Sequence, residues 1–378
     1  MSAFFAHRLY LAAGLLSRGD EVWLCAGALP TTLPTDVPHD LKLIELELIQ
    51  QHFSLASDIK LMRKFQLLLE TIQPDIVHAF TIKPILYMSI CQAINRIRFK
   101  NVSKLVLTFP GLGKVFEHAQ GYLGYIRRRL VSSFLKYSLK ILPYIATFEN
   151  SYDQDVLVRT GLLRMENTRT ILGAGIDYSK YYPPQTIGTT GPIRFLFASR
   201  LLAAKGVKVF LEAVVATELP VAKAHFIIAG QYDPKNPDAI DVANLIASDT
   251  KYDNVKFIGN VDANLMPALL QSVDVVCLPT QLSEGFPRIL IEAAACGCAL
   301  IGSDQPSIRQ IVIEGETGWL LNSNKVEELA LKMTYAANNI DITRLAGKKA
   351  AHYVKNLPFD NKAVFDKFSD IYSELLQR

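Results

Sequence analysis

The segment DVVCLPTQLSEGFPRILIEAAA, residues 274–295, carries a strand, a polar turn and a helix in succession. Asp274–Leu278 is a short β-branched run of the kind that fills a buried parallel strand, and Arg288–Ala295 is an apolar helical stretch. Pro287 is read as the first residue of that helix, where the missing N–H of proline removes nothing the helix would use. A helix that starts at the carboxyl end of such a strand sits on the edge where open α/β sheets bind ligands. Its free amides suit an anion.

The same switch recurs along the chain. Further short runs are Glu21–Cys25, Asp75–Phe80, Lys104–Thr108, Ile193–Ala198, His225–Ala229 and Val255–Ile258. Helical segments include Leu55–Ile72, Ile126–Leu142, Val207–Thr217, Asn264–Gln271 and the closing Phe359–Leu376. This alternation predicts an α/β protein of parallel layers. The Pro- and Gly-rich stretch YYPPQTIGTTGP, residues 181–192, separates two such series, so two domains of about equal size are expected. A doubly wound domain normally opens with a buried strand and a Gly-rich turn, yet this chain begins with an amphipathic helix over Phe4–Leu16. The N-terminal domain is therefore expected to lack its first strand: either the start of the chain is assigned too late, or the sheet tolerates a vacant place.

With 378 residues, 50% hydrophobic and 20% charged, the chain can build sizeable cores, which excludes a disordered or fibrous protein. The five cysteines are spread out in apolar surroundings and read as reduced core residues; Cys296 and Cys298 lack the partners of a zinc or redox motif. No apolar run reaches the ~18 residues that span a bilayer, and no secretory leader is recognisable. The net charge of +4 conceals a concentration: between Ile94 and Lys140 ten basic residues face one acid, Glu117, so this stretch carries +9 and the rest −5.

Two acids in the opening segment need explaining. Glu292 lies among Ile289, Leu290, Ile291 and Ala293–Ala295, where an unpaired carboxylate would cost several kcal/mol, so it needs a partner or a ligand-facing position. Glu284 alone would be an ordinary loop acid. Upstream, Phe195-Leu196-Phe197-Ala198-Ser199-Arg200 runs into Lys205-Gly206-Val207, which sets two cations astride a strand-to-helix turn where a diphosphate could be neutralised. Asp153-Gln154-Asp155 has the form of a metal-binding D-x-D, but it opens a helix after Asn150-Ser151, where acids complement the dipole; no metal site is expected.

In this order and spacing, Ser199-Arg200-Leu201 with Lys205-Gly206, Ala229-Gly230, Gly259 and the Glu284/Glu292 pair resemble the family 4 glycosyltransferases. Gly173-Ala174-Gly175-Ile176-Asp177, followed by Tyr181-Tyr182-Pro183, resembles that family's interdomain hinge. His78-Ala79-Phe80-Thr81-Ile82-Lys83-Pro84 and Thr108-Phe109-Pro110-Gly111-Leu112-Gly113 resemble the subgroup acting in surface polysaccharide, O-antigen or lipid-linked glycan synthesis. The resemblance implies a GT-B fold, α/β, with two Rossmann-like parallel-sheet domains facing a cleft. Residues 1–177 would bind the acceptor, 178–192 would be the linker, 193–355 would bind the nucleotide sugar, and 356–378 would be a helix packing back on the first domain.

It also implies roles. Arg200 and Lys205 would hold the diphosphate and stabilise the leaving group, Glu292 would accept from the ribose hydroxyls, and Glu284 would orient the donor sugar. Gly285, Phe286, Pro287 and Arg288, with Gly230 and Gly259, would line the donor site; Gly111, Gly113, His78 and Lys83 would lie on the acceptor side. The family reaction is direct transfer with retention, without an enzyme nucleophile, a cofactor or a metal. The chain departs from the pattern where many members carry a histidine after the strand equivalent to Lys104–Thr108; it reads Phe109-Pro110-Gly111 there. His78 ends an apolar strand and is equally readable as a site residue or a satisfied core one.

On a helical wheel Ile126, Leu130, Phe134, Tyr137 and Ile141 share one face, with Arg129, Lys136 and Lys140 in an arc of roughly 40° beside it. With Arg127 and Arg128 this suits an anionic membrane surface; the alternative is a core helix with a solvated basic edge. No nucleic-acid-binding module accompanies the charge. The expectation is a cytoplasmic enzyme at the inner face of the membrane. It would move a hexose or N-acetylhexosamine from a UDP-sugar to a polyprenyl-diphosphate-linked saccharide. A UDP-sugar 2-epimerase of the same fold, or a truncated non-catalytic copy binding nucleotide or membrane, are the alternatives.

Overall fold

Every pairing between strands is parallel among the described residues, as the alternation of short apolar runs with helices requires. The computed structural model describes residues 7–27, 29, 33, 36–46, 55–99, 102–112, 116, 121–185, 191–323 and 325–377. The chain divides into two compact units, one of Met1–Gly175 with Asn361–Arg378, the other of Ile176–Asp360.

The first unit contains α1 (Leu9–Ser17), β1 (Trp23–Ala26), β2 (Lys42–Glu45), α2 (Leu55–Ile72), β3 (Ile76–Phe80), α3 (Ile82–Arg98), β4 (Lys104–Phe109), α4 (Gly121–Leu139), β5 (Tyr144–Phe148), α5 (Ser151–Arg159) and β6 (Thr168–Thr170). Side chains of β4 and β5 alternate between two layers, which is why both strands read as continuous apolar runs. Leu105, Leu107, Phe109, Ala146 and Phe148 pack with α2, α3 and α4, whereas Val106 and Ile145 pack with the last helix of the chain. In that unit the strands form two separate sheets, β1-β2 and β3-β4-β5-β6. No pairing joins them among the described residues, and α1 spans the two: Leu9 and Ala12 pack toward Leu24 and Leu43, and Leu11 toward Val106 and Phe368.

The second unit contains β7 (Ile193–Ala198), α6 (Val207–Thr217), β8 (Ala224–Ala229), α7 (Val242–Ser248), β9 (Val255–Phe257), α8 (Met266–Gln271), β10 (Val275–Leu278), α9 (Arg288–Ala295), β11 (Ala299–Ser303), β12 (Gly318–Leu321), α10 (Val326–Asn338) and α11 (Ile340–Lys355). Its six strands lie in the order β12-β11-β10-β7-β8-β9 around a core that includes Phe195, Phe197, Phe210 and Phe226. From β7 the chain winds one way to β8 and β9, then returns to the other side of β7 for β10, β11 and β12. The neighbours β7 and β10 are therefore the switch point of the sheet, the place on its carboxyl edge where open α/β sheets bind ligands.

Residues 176–185 are laid against the second unit. Ile176 N–H donates to Phe359 O at 2.7 Å, Tyr178 Oη to Val354 O at 2.7 Å, and Gln271 Nε2 to Tyr182 O at 3.0 Å. The closing helix α12 (Asn361–Gln377) belongs to the first unit, where it buries Val364, Phe368, Ile371, Tyr372 and Leu375. Gly14 makes the crossing of α1 and α12 close: a Cβ there would lie 2.4 Å from the Phe365 ring.

Candidate functional site

The loops at the switch point bring Lys205 and Glu284 together. Lys205 ends the turn after β7, and Glu284 stands on the loop between β10 and α9. The ammonium donates to both carboxylate oxygens, at 2.6 and 2.8 Å, with the two side chains only 13% and 11% exposed. Thr280 Oγ1 donates to the same carboxylate at 2.8 Å. Two backbone approaches make the meeting possible. Gly206 takes φ +84°, and a Cβ on it would fall 2.0 Å from Pro279 O, so only glycine lets the turn after β7 reach the loop after β10. Gly230 is closed in the same way, its missing Cβ lying 1.9 Å from Ser199 O. Gly259, at φ +74°, accepts through its carbonyl from Gly230 N–H at 2.8 Å.

Arg200 is exposed at the mouth of this turn. Gly285, Phe286 and Pro287 are buried; Phe286 meets Phe359 edge-on with centroids 5.0 Å apart. Pro287 is the residue before α9 rather than its first: its φ of −74° suits a helix, but ψ is 97°. Glu292, one turn and more into α9, is buried and has the partner its sequence context demanded, the guanidinium of Arg288. Tyr181 stands against Glu292 too, and its phenol is shifted upward by burial first and by that carboxylate second. Both glutamates are thus held in ion pairs within one unit at the carboxyl edge of its sheet.

The loop carrying Glu284 is held from β11, through residues that drew no notice in the sequence. Ser303 Oγ donates to Thr280 O at 2.7 Å, Ser307 Oγ to Glu284 O at 2.8 Å, and Gln305 bonds three backbone groups. A signal for them existed in the polar run Ser303-Asp304-Gln305-Pro306-Ser307 directly after an apolar stretch. Loops at strand ends are where such residues act.

In the first unit, two expected acceptor-side residues are engaged in the core. His78 on β3 lies within hydrogen-bond reach of Tyr372 Oη at 2.7 Å through Nδ1 and of Thr108 Oγ1 at 2.6 Å through Nε2, and it stacks on Phe80. Burial, and secondarily the Arg8 charge, hold its pKa well below the usual imidazole value, so the ring is neutral. Of the two readings open in the sequence, the satisfied core histidine describes this geometry. Lys83 is likewise buried, in a 2.9 Å ion pair with Asp58 of α2. Gly111 is half-buried at the carboxyl end of β4, and Gly113 lies outside the described residues. Beside Gly111's strand, Thr81 takes φ 69° and ψ 159°, a region β-branched residues avoid. Asp153 is buried at the first turn of α5, where Asn150 Oδ1 accepts from its N–H at 2.8 Å.

The apolar face that the wheel picks out on α4 is exposed, so the core-helix alternative does not describe it. Val131, Leu135 and Leu139 face the core, whereas Leu130, Phe134, Tyr137 and Ile141 are exposed, Tyr137 at 73%. Tyr122 and Tyr125 extend the exposed face, with Arg127, Arg129, Lys136 and Lys140 exposed beside it and Arg128 half-buried. The wheel finds which residues share a face but not which of two apolar faces is covered. α4 has a second one, and that one packs against α3 and the sheet.

Two family models match, "Glycosyl transferases group 1" over residues 184–354 and "Glycosyl transferase 4-like" over residues 6–143. The chain is 24% identical over 278 residues to the N,N'-diacetylbacillosaminyl-diphospho-undecaprenol alpha-1,3-N-acetylgalactosaminyltransferase of Campylobacter jejuni, a match covering 71% of this chain and 69% of that protein. Several other curated relatives are matched over less than half of their own length. Among solved structures, sucrose-phosphate synthase from Thermosynechococcus elongatus is similar at TM-score 0.77 and 18% identity, with 97% of this chain and 92% of that one covered. Anabaena HepE, in complex with UDP and glucose, is similar at TM-score 0.73 and 18% identity, with 97% and 94% covered. Both likenesses concern the α/β fold of the two units.

Proposed function

The chain belongs to the family 4 glycosyltransferases of GT-B fold, and on that footing we propose that it moves a hexose or N-acetylhexosamine from a UDP-sugar to a lipid-linked saccharide, with retention. The observation that carries this reading is the Lys205–Glu284 pair at the switch point, with exposed Arg200 on the same turn. Donor binding would exchange one partner of the pair. The diphosphate would take the Lys205 ammonium, with Arg200 adding a second cation, and the freed Glu284 carboxylate would accept from sugar hydroxyls. As the sugar–phosphate bond breaks, negative charge grows on the diphosphate. Fixed cations there stabilise the transition state more than the ground state. Glu292, oriented by Arg288, would accept from the ribose, and the acceptor hydroxyl would attack on the face the diphosphate leaves, its proton passing to the departing phosphate oxygen. The donor class is supported by the UDP complex of HepE, and the acceptor class by the diphospho-undecaprenol named for the Campylobacter relative.

A lipid-linked acceptor is met at a bilayer, and the exposed face of α4 fits one. It sets aromatic and aliphatic side chains between cations, the composition of helices that lie in the headgroup layer of anionic membranes. No described helix is long and apolar enough to cross a membrane. The test is transfer of radiolabel from a panel of UDP-sugars into lipid extract by bacterial membranes plus this protein, with Glu284→Ala as control. Glu284-dependent label from one donor is expected. Conversion of a UDP-sugar without any acceptor would favour a 2-epimerase, and label unaffected by Glu284→Ala would refute the site.

A further inference from the structure

We propose that Gln305 is a positioning residue for the transfer reaction, setting the loop that presents Glu284; this rests on the reading of Glu284 as a site residue. Gln305 follows β11, the neighbour in the sheet of β10, which leads into the Glu284 loop. Its Oε1 accepts from Glu284 N–H at 3.1 Å, while Nε2 donates to Leu282 O at 2.8 Å and to Thr280 O at 3.2 Å. One planar group thus holds alternate residues of the loop, at positions 280, 282 and 284. The partners fix which end of the amide is which: reversed, its oxygen would face two carbonyls and its NH2 an N–H. Ser303 and Ser307 hold the carbonyls of Thr280 and Glu284 from either side of Gln305.

The bonds run on to the reacting end of the loop. Thr280 Oγ1 accepts from Leu282 N–H at 3.2 Å and donates to the Glu284 carboxylate at 2.8 Å, so the backbone shape that Gln305 sets also aims that carboxylate at Lys205. When a donor takes Lys205, the carboxylate loses its ion-pair partner but keeps this frame. Misplacing a group that orients substrate by about 1 Å costs about 100-fold in rate.

Gln305→Glu preserves shape but at neutral pH turns carboxylate lone pairs toward two carbonyls, whereas its protonated form regains one donor. The two facing carbonyls and the Glu284 carboxylate on the same loop disfavour the ionised form and raise this carboxyl above its usual range of about 4.3; at pH 8 its kcat should fall about 30-fold, with the donor KM changed less than about threefold, and the loss relative to wild type should shrink as the pH is lowered to 5.5. Gln305→Leu should lose as much at both pH values and recover nothing. Glu284→Ala is run in parallel: wild-type rates there would refute the site reading itself. If Glu284→Ala is inactive, three results each overturn the role of Gln305: wild-type rates in both Gln305 variants, a pH-independent loss in Gln305→Glu, or failure of both to fold, which would make Gln305 a folding determinant.

Discussion

Removing one member of the Lys205–Glu284 pair should cost stability that removing both restores, while activity is lost in every case. The carboxylate and ammonium are only 11% and 13% exposed, so the pair lies nearer the buried limit, where stranding one charge costs about 3–5 kcal/mol, than the surface limit of about 0–1. Thr280 still donates to a stranded Glu284, which tempers the penalty. About 2–3 kcal/mol is therefore expected for Lys205→Met, or about 5–10 °C in Tm for a unit of this size. In Lys205→Met/Glu284→Gln no charge is left without a partner, and most of that loss should return; the double-mutant cycle should show a coupling of about 1.5–3 kcal/mol. Transfer behaves differently, because diphosphate charge and sugar hydroxyls need the two groups separately. The double variant should be as stable as wild type to within about 1 kcal/mol and at least about 100-fold slower. Thermal unfolding and labelled transfer on the same four proteins decide it. A stable double variant with wild-type transfer would make the pair a structural bridge and refute the assignment.

Three other outcomes follow from the same geometry. The buried His78 has its pKa lowered, so below the unfolded value of about 6.5 the unfolded chain binds a proton that the folded one does not. Stability is then complete above that pH and falls by up to about 1.4 kcal/mol per unit below it; urea midpoints should show this slope in wild type and lack it in His78→Gln. Gly206→Ala combines a left-handed φ with a Cβ 2.0 Å from Pro279 O, so it should push the two switch-point loops apart and reduce transfer at least about 10-fold; unchanged kinetics would contradict the close approach. For the α4 face, Phe134→Glu/Tyr137→Glu should abolish sedimentation with anionic vesicles at 0.5 M salt, where charge contacts are screened; equal binding by this variant would show that the exposed apolar face is not what holds the protein to the vesicle.

How much could be read in advance differs between the two units. In the second, strands and helices such as Ile193–Ala198, Val207–Thr217 and Arg288–Ala295 stand where their periods place them, because each is a local apolar pattern. The residues with chemistry sit in the polar gaps between them. Parallel strands joined by helices put every strand-to-helix gap on one edge, and the family resemblance singled out Lys205 and Glu284 there. In the first unit the pattern was less decisive. Lys83 looked like a site residue from its motif and His78 was open to two readings; Asp58 and Tyr372, distant in sequence, engage them.

Periodicity alone fixes the α/β class and the alternation of the elements, and the resemblance to the family 4 glycosyltransferases singles out the charged residues at the switch point. Tertiary structure decided three things. It set which of two apolar faces of α4 is covered, which charges pair with one another, and that Gln305, Ser303 and Ser307 reach over from the neighbouring strand end to hold the Glu284 loop. Each depends on contacts between residues far apart along the chain, and side-chain period carries no information about the partner a face or a charge will meet.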